Sequence, residues 1–104
     1  MDELTIWKFP FEIKDEFEIE IPEEFTVLSV QVQDGQPCIW AVVNPTSPKM
    51  RQGFILRGTG HPFSGNLKYA EGNPIRSYIA TFQTAEGRLV WHLFFKKAKH
   101  RNVN

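Results

Sequence analysis

Apolar and polar residues alternate with a period of two along much of this chain of 104 residues. Between residues 17 and 21, one phenylalanine and two isoleucines alternate with two glutamates, and residues 27–33 alternate in the same way. Successive side chains of a β-strand point to opposite faces, so this pattern predicts strands with one buried and one solvated face. No window has the spacing of an amphipathic helix, and we therefore expect an all-β protein.

Turn signals separate the alternating segments. Asp34-Gly35 is a typical two-residue hairpin turn. Two hairpins are predicted, one from residues 27–33 and 38–43, the other from 77–83 and 88–95. The segment 38–43 is apolar on both faces, which places it centrally or under a partner. We predict about seven mostly antiparallel strands in a small sandwich or a partly open barrel.

Length and composition predict one domain. Residues 1–95 would form the β domain, and the basic tail 96–104 is expected to be flexible. No apolar run reaches the roughly 18–20 residues of a membrane span, and the acidic N-terminus lacks the pattern of a signal peptide. Cys38 is the only cysteine, so no internal disulfide can form. We expect a cytoplasmic protein with no membrane partner.

Charge is distributed unevenly, although the formal net charge is zero. Residues 1–24 contain nine acidic residues and two lysines, a net charge of −7, whereas residues 25–104 contain three acidic and ten basic residues, a net charge of +7. Three interpretations remain open. The two parts neutralise each other within one chain, they attract each other between subunits, or the basic part recruits an anionic ligand.

Residues 57–65 read Arg-Gly-Thr-Gly-His-Pro-Phe-Ser-Gly and form the segment most suited to meeting a ligand. Glycines permit positive φ and leave backbone N–H groups uncovered, which makes the turn a candidate cradle for an anion. We expect the contacts to phosphate or ribose to come from Arg57, Thr59, Gly60, His61 and Ser64. An aromatic residue such as Trp7 or Trp40 would stack on a base.

No catalytic or metal-binding pattern accompanies this turn. A two-histidine phosphoesterase places a hydroxyl residue two positions after each histidine, but Phe63 and Phe94 follow His61 and His92 there. The spacing of three isolated histidines and one cysteine matches no metal site. We therefore expect a protein that is not an enzyme and that needs neither a metal nor a cofactor.

Aromatic and basic residues are also typical of proteins that bind single-stranded nucleic acid. In such proteins, bases stack on exposed rings beside a positive groove. The aromatic residues concerned are Tyr78, Phe82, Trp91 and Phe94. The competing interpretation, which the zero net charge favours, is that these rings belong to the core. The surplus of apolar faces for one small sheet further predicts a homo-oligomer.

Several segments resemble a small family that occurs in phages and some bacteria and is recorded as a domain of unknown function. They are Ile6-Trp7-Lys8, residues 29–33, 38–41, 58–62, 81–83 and 89–94. The resemblance covers nearly the whole chain, and Gly-Thr-Gly-His-Pro at 58–62 is its most specific part. It implies a small phage-encoded accessory protein of the cytoplasm, and it brings no catalytic residues.

The leading hypothesis is a non-catalytic, homo-oligomeric protein that binds a small anionic, nucleotide-type ligand. By analogy with other compact phage proteins, it would sequester a nucleotide signal of host immunity. A second hypothesis is a protein–protein interaction module, either a virion accessory or an inhibitor of a host protein. Binding of single-stranded nucleic acid is the third.

Overall fold

The computed structural model describes residues 3–65, 67–68 and 73–96. Within them are seven strands and one short 3₁₀ helix. The strands are β1 (Thr5–Pro10), β2 (Glu16–Pro22), β3 (Phe25–Gln33), β4 (Gln36–Val43), β5 (Lys49–Gly58), β6 (Tyr78–Thr84) and β7 (Leu89–Phe95), and the 3₁₀ helix is Pro74–Ser77. The predicted all-β fold is confirmed. All of the predicted basic tail except Lys96 lies outside the described residues.

The strands form two antiparallel sheets that pack as an open sandwich. The three-stranded sheet has the order β1-β4-β3, and the four-stranded sheet has the order β2-β5-β7-β6. β4 is the central strand of its sheet, as its two apolar faces predicted. Among the described residues no helix is long and apolar enough to cross a membrane.

The main core lies between the sheets and draws on both. Its buried members are Phe11, Val30, Ile39, Phe54, Leu56, Phe82 and Leu93. Stacked rings extend through it, since Phe17 lies 4.8 Å from Phe11 and 5.2 Å from Phe54 between ring centroids. Full burial of one such side chain contributes about 1.5–3 kcal/mol, so this cluster is the main source of stability.

Both predicted hairpins form, and their turns require unusual backbone angles. Asp34 (φ 52°) and Gly35 (φ 78°) both have positive φ, as a type I′ turn needs. In the β6–β7 turn, Ala85 (φ 53°) and Glu86 (φ 57°) are also left-handed, followed by Gly87 (φ 85°). Side chains with a Cβ are disfavoured there, so this second turn holds some backbone strain.

The acidic N-terminal part lies against basic residues of the same chain. Arg51 Nε lies 2.9 Å from Glu18 Oε1, and Lys96 Nζ lies 2.6 Å from Glu16 Oε1. The hydrogen bond and charge of Lys96 lower the pKa of Glu16, and the same contact raises the pKa of Lys96. Part of the opposite charge is thus neutralised within one chain, as the first of the three interpretations held.

Candidate ligand-binding cleft

A cleft of about 560 Å³ lies on the outer face of the four-stranded sheet. Its volume is within the range of small-molecule sites. The lining residues come from the end of β5, the glycine turn, the connection that follows and β7. They are Arg57, Gly58, Thr59, Gly60, His61, Phe63, Gly65, Leu67, Pro74, His92 and Phe94.

Strand alternation explains why these side chains face outward. On β7, Leu93 is fully buried in the core, so its neighbours His92 and Phe94 point to the opposite face. On β5, Leu56 is buried and Arg57 points outward. Arg57 and His92 are directly paired in the β5–β7 ladder. The register of two strands that are distant in sequence therefore builds the floor of the cleft.

The glycine turn closes on itself. The N–H of His61 donates to the carbonyl of Gly58 at 3.0 Å, and Gly60 has a φ of 89°, as the third residue of a type II turn requires. The N–H of Gly58 donates to His61 Nδ1 at 3.1 Å, and the N–H of Thr59 donates to the carbonyl of Val90 at 3.1 Å. Within the described structure, only the N–H of Gly60 among these four is left for a ligand. The expected row of uncovered N–H groups is therefore absent, because the turn and the adjacent strand use them.

The ring of His61 packs tightly against the turn. Because Nδ1 accepts the N–H of Gly58, the proton of the neutral ring is on Nε2. The ring meets Trp91 edge to face, with centroids 6.1 Å apart. A Cβ at position 58 would lie 2.8 Å from His61 Cε1, which explains the glycine there. Nε2–H of His61 has no partner among the described residues and can donate to a ligand.

Arg57 holds two segments in place. Its Nε donates to the carbonyl of Pro62 at 3.1 Å, and its Nη1 donates to the carbonyls of Asp15 and Leu56, each at 2.9 Å. Its guanidinium carbon lies 5.9 Å from the ring centroid of Phe63. Nη2 has no hydrogen bond to any described residue, so the side chain fixes the turn and still has donors for an anion.

A chain of four hydrogen-bonded side chains begins in the cleft and extends from it to β6. His92 Nε2 lies 2.8 Å from Thr59 Oγ1, and His92 Nδ1 lies 2.9 Å from Thr81 Oγ1. Thr81 Oγ1 in turn lies 2.7 Å from the hydroxyl of Tyr78. We call this set the Thr59–Tyr78 chain. Sequence reasoning had not placed His92 in the site, and the available signal was its outward position in the alternation of β7.

Two phenylalanines form the apolar wall of the cleft. The rings of Phe63 and Phe94 have centroids 4.4 Å apart at an interplanar angle of 56°. These are the residues two positions after His61 and His92. The positions at which a two-histidine phosphoesterase needs hydroxyls therefore carry the apolar wall here, which agrees with the sequence argument against that chemistry.

The other predicted contact residues are not part of this lining. Ser64 is exposed beside the cleft. Trp7 packs against the second core cluster, which contains Ile21, and Trp40 is paired with Lys8 and Ser29 in the three-stranded sheet. Neither tryptophan lines the cleft, because β1 and β4 belong to the opposite sheet. A base bound in the cleft would meet Phe63 and Phe94 instead.

Metal ligands do not cluster in the described part of the chain, where no group of three or more His, Cys, Asp or Glu side chains could hold an ion. The described residues that line the cleft include histidine and arginine, and none of them is a carboxylate. It thus combines positive and donor groups with aromatic surface.

Fold and cleft together define a small open β-sandwich with a donor-rich, aromatic-walled cleft on the outer face of one sheet. The chain belongs to the family described as a domain of unknown function (DUF7352), whose model matches residues 2–103. The resemblance to a domain of unknown function is thereby confirmed over almost the whole chain. Searches of the curated proteins and of the solved structures find no match.

Proposed function

We propose that this protein is a non-catalytic binding protein for a small anionic, nucleotide-type ligand, which it holds in the cleft. The observation that carries the proposal is a set of three donor groups in the cleft with no partner among the described residues. These are Gly60 N–H, His61 Nε2–H and Arg57 Nη2. A phosphate supplies acceptor oxygens for all three, and its hydrogen bonds to arginine are charge-assisted.

The aromatic wall is suited to the other part of a nucleotide, its planar base. Phe63 and Phe94 present ring surface next to the donors, and a half-buried ring pair of this kind favours a planar apolar group. A nucleobase stacked on such rings contributes about 1–3 kcal/mol. An oxyanion joined to a planar ring is the shared chemistry of nucleotides.

Binding is favoured over turnover by the position of the carboxylates. Acid–base chemistry needs a titratable group placed next to the reacting atoms. Glu16 and Glu18 are engaged with Lys96 and Arg51 at the surface, and none of the described residues that line the cleft is a carboxylate. The two histidines of the cleft are bound to the turn and to hydroxyl groups. A protein that binds its ligand tightly and does not convert it is suited to sequestering that ligand.

The family resemblance extends the proposal to a biological role. A phage-encoded protein of this size would act in the host cytoplasm as a homo-oligomer and sequester a nucleotide signal of host immunity. The lone buried thiol of Cys38 is consistent with a reducing compartment. The exposed apolar side chains of Ile6 (59% exposed) and Leu28 (53% exposed) on the three-stranded sheet suit contact with a second copy.

Those apolar side chains also favour the alternative, a protein–protein interaction module that would present the three-stranded sheet to a host or virion protein. A pulldown that recovers one partner at equal stoichiometry with the wild type and with His61→Asn would support the alternative.

Single-strand nucleic acid binding has less support. Of its four proposed rings, Phe82 is buried in the core and Trp91 packs against it.

Calorimetry tests the proposal with a cyclic dinucleotide, 3′,5′-cyclic AMP and ADP-ribose. We expect a micromolar or lower Kd for at least one of them, and a weaker complex for adenosine, which lacks the phosphate. Arg57→Gln removes a charge-assisted contact worth about 1.5–3 kcal/mol, so affinity should fall at least about tenfold.

Ser64→Ala is the matched control, since Ser64 is exposed beside the cleft without lining it, and it should leave the Kd unchanged. Circular dichroism of each variant establishes that it is folded. If none of the three nucleotides binds at micromolar concentration, or if Arg57→Gln and Ser64→Ala bind equally well, the proposal is wrong.

A further inference from the structure

The Thr59–Tyr78 chain contains one residue that can change charge near neutral pH, His92. We infer that His92 takes up a proton when an anion occupies the cleft, and that it thereby selects anionic over neutral ligands. This inference rests on the proposed function and names the residue that would determine its charge specificity.

A neutral His92 can be arranged in the chain in two ways, because one ring nitrogen donates and the other accepts. In the first, Nε2–H donates to Thr59, and Nδ1 accepts from Thr81. In the second, Thr59 donates to Nε2, and Nδ1–H donates to Thr81. Only the first leaves the hydroxyl proton of Thr59 free for a ligand in the cleft. An acceptor bound at Thr59 therefore selects that arrangement.

A protonated His92 removes this ambiguity. Both ring nitrogens then donate, so Thr59 and Thr81 both accept. The hydroxyl proton of Thr59 is free to donate into the cleft in every arrangement, and the ring adds a positive charge below the ligand. The existing partners, at 2.8 and 2.9 Å, are able to accept both N–H groups without any movement of the ring.

The described groups around His92 supply no negative charge for this state. Arg57 faces it from β5, His61 from the turn and Tyr78 from β6 through Thr81. None of the described residues that line the cleft is a carboxylate. In this proposal the charge that favours a protonated ring comes from the ligand. Binding of the anion and binding of the proton are thus reciprocally linked.

The linkage has a measurable consequence. If one proton is taken up per anion, the Kd rises by about tenfold per pH unit wherever the free protein is deprotonated and the complex is protonated at His92. The effect should appear above the pH at which the ring loses its proton in the free protein, and it should end where the ring loses its proton in the complex. A neutral ligand offers no charge to the ring, so its Kd should not follow pH in this way.

Calorimetry with 3′,5′-cyclic AMP and with a cyclic dinucleotide tests the inference, since diester phosphates do not titrate in this range. Titrations in buffers with different ionisation enthalpies report the number of protons taken up. We expect close to one proton per site, and none for adenosine. Imidazole ¹⁵N shifts of His92, recorded against pH with and without 3′,5′-cyclic AMP, give a second readout.

Three variants assign the proton to its residue. His92→Gln can still bond to Thr59 but cannot accept a proton, so uptake and the pH slope should disappear while binding persists at high pH. His61→Asn retains an acceptor for the N–H of Gly58 and should retain the uptake. Ser64→Ala should behave as the wild type.

The outcomes separate the two proposals. Binding of either cyclic nucleotide without proton uptake, or with full uptake in His92→Gln, overturns the inference and leaves the proposed function standing. Failure of the two cyclic nucleotides and of ADP-ribose to bind overturns both. Uptake that disappears in His61→Asn and persists in His92→Gln assigns the proton to the turn and overturns the role of His92.

Discussion

Replacing Gly58 by alanine tests whether the ring of His61 is held where the structure places it. The backbone of Gly58 is not left-handed, so alanine itself is tolerated there. The new Cβ would lie 2.8 Å from His61 Cε1 and 3.0 Å from Nδ1. Contacts this short force the ring out of its position.

The expected cost follows from the contacts that the displaced ring loses. The hydrogen bond from the N–H of Gly58 to Nδ1 is worth about 0.5–1.5 kcal/mol, and the edge contact with Trp91 is worth a similar amount. Because His61 is partly exposed, we expect Gly58→Ala to lower the free energy of unfolding by about 1–2 kcal/mol. For a domain of this size, each kcal/mol corresponds to a fall in Tm of about 4–8 °C.

A double-mutant cycle with His61→Ala isolates the ring as the cause. Without the ring, the Cβ at position 58 has room, and alanine in a strand is about 0.5–1 kcal/mol more stable than glycine. Gly58→Ala should therefore change sign and become stabilising in the His61→Ala background. Urea denaturation of the four proteins gives a coupling energy of about 1.5–3 kcal/mol.

Equal destabilisation by Gly58→Ala in both backgrounds would show that the steric conflict is with something other than His61. No destabilisation in the wild-type background would show that the ring moves freely and makes no net contribution. Either result would refute the argument that the glycine is required by the histidine three residues later.

Three further predictions concern the rest of the fold. Ala85→Asn and Glu86→Gly relieve left-handed φ, which costs a residue with a Cβ about 1–2 kcal/mol, so each should raise the free energy of unfolding in urea by part of that amount, and no gain would argue against strain in this turn. Leu93→Ala removes a fully buried side chain and should cost about 2–5 kcal/mol by the same assay, whereas a cost below 1 kcal/mol would contradict its central position. Glu16 should titrate below its ordinary pKa by NMR and return towards it in Lys96→Ala; its stabilising effect is present above the unfolded-state pKa and is lost as pH falls through the folded-state pKa.

The strands were predictable because alternation is a local property of the chain. Their pairing was not, because it depends on residues far apart in sequence. Phe17 pairs with Phe54 in the β2–β5 ladder, and Trp7 pairs with Ala41 in the β1–β4 ladder. These registers are set when the apolar faces of all the strands are buried together in the core. No short segment of the sequence determines them by itself.

The candidate site likewise has a part that the sequence predicts and a part that it does not. The glycine-rich segment 57–61 was recognisable because it interrupts an alternating pattern with glycine, a histidine and an arginine. The position of His92 beside Thr59 depends on the β5–β7 ladder, across 33 residues of sequence. The sequence did not show that both tryptophans lie on the sheet opposite the cleft, because aromatic composition does not state which sheet a ring belongs to. The sequence also did not show that most N–H groups of the turn are already hydrogen-bonded. One of them, the N–H of Thr59, donates to the carbonyl of Val90, which is distant in sequence.

Three consecutive residues of β7 belong to two different parts of the molecule, the core and the cleft. Leu93 packs into the core, while His92 and Phe94 face the cleft. A mutation at either outward position changes what the cleft contacts and leaves the packing of Leu93 intact. The surface of the cleft can therefore change in evolution, or be redesigned in the laboratory, on a sandwich whose folding depends on a separate set of side chains.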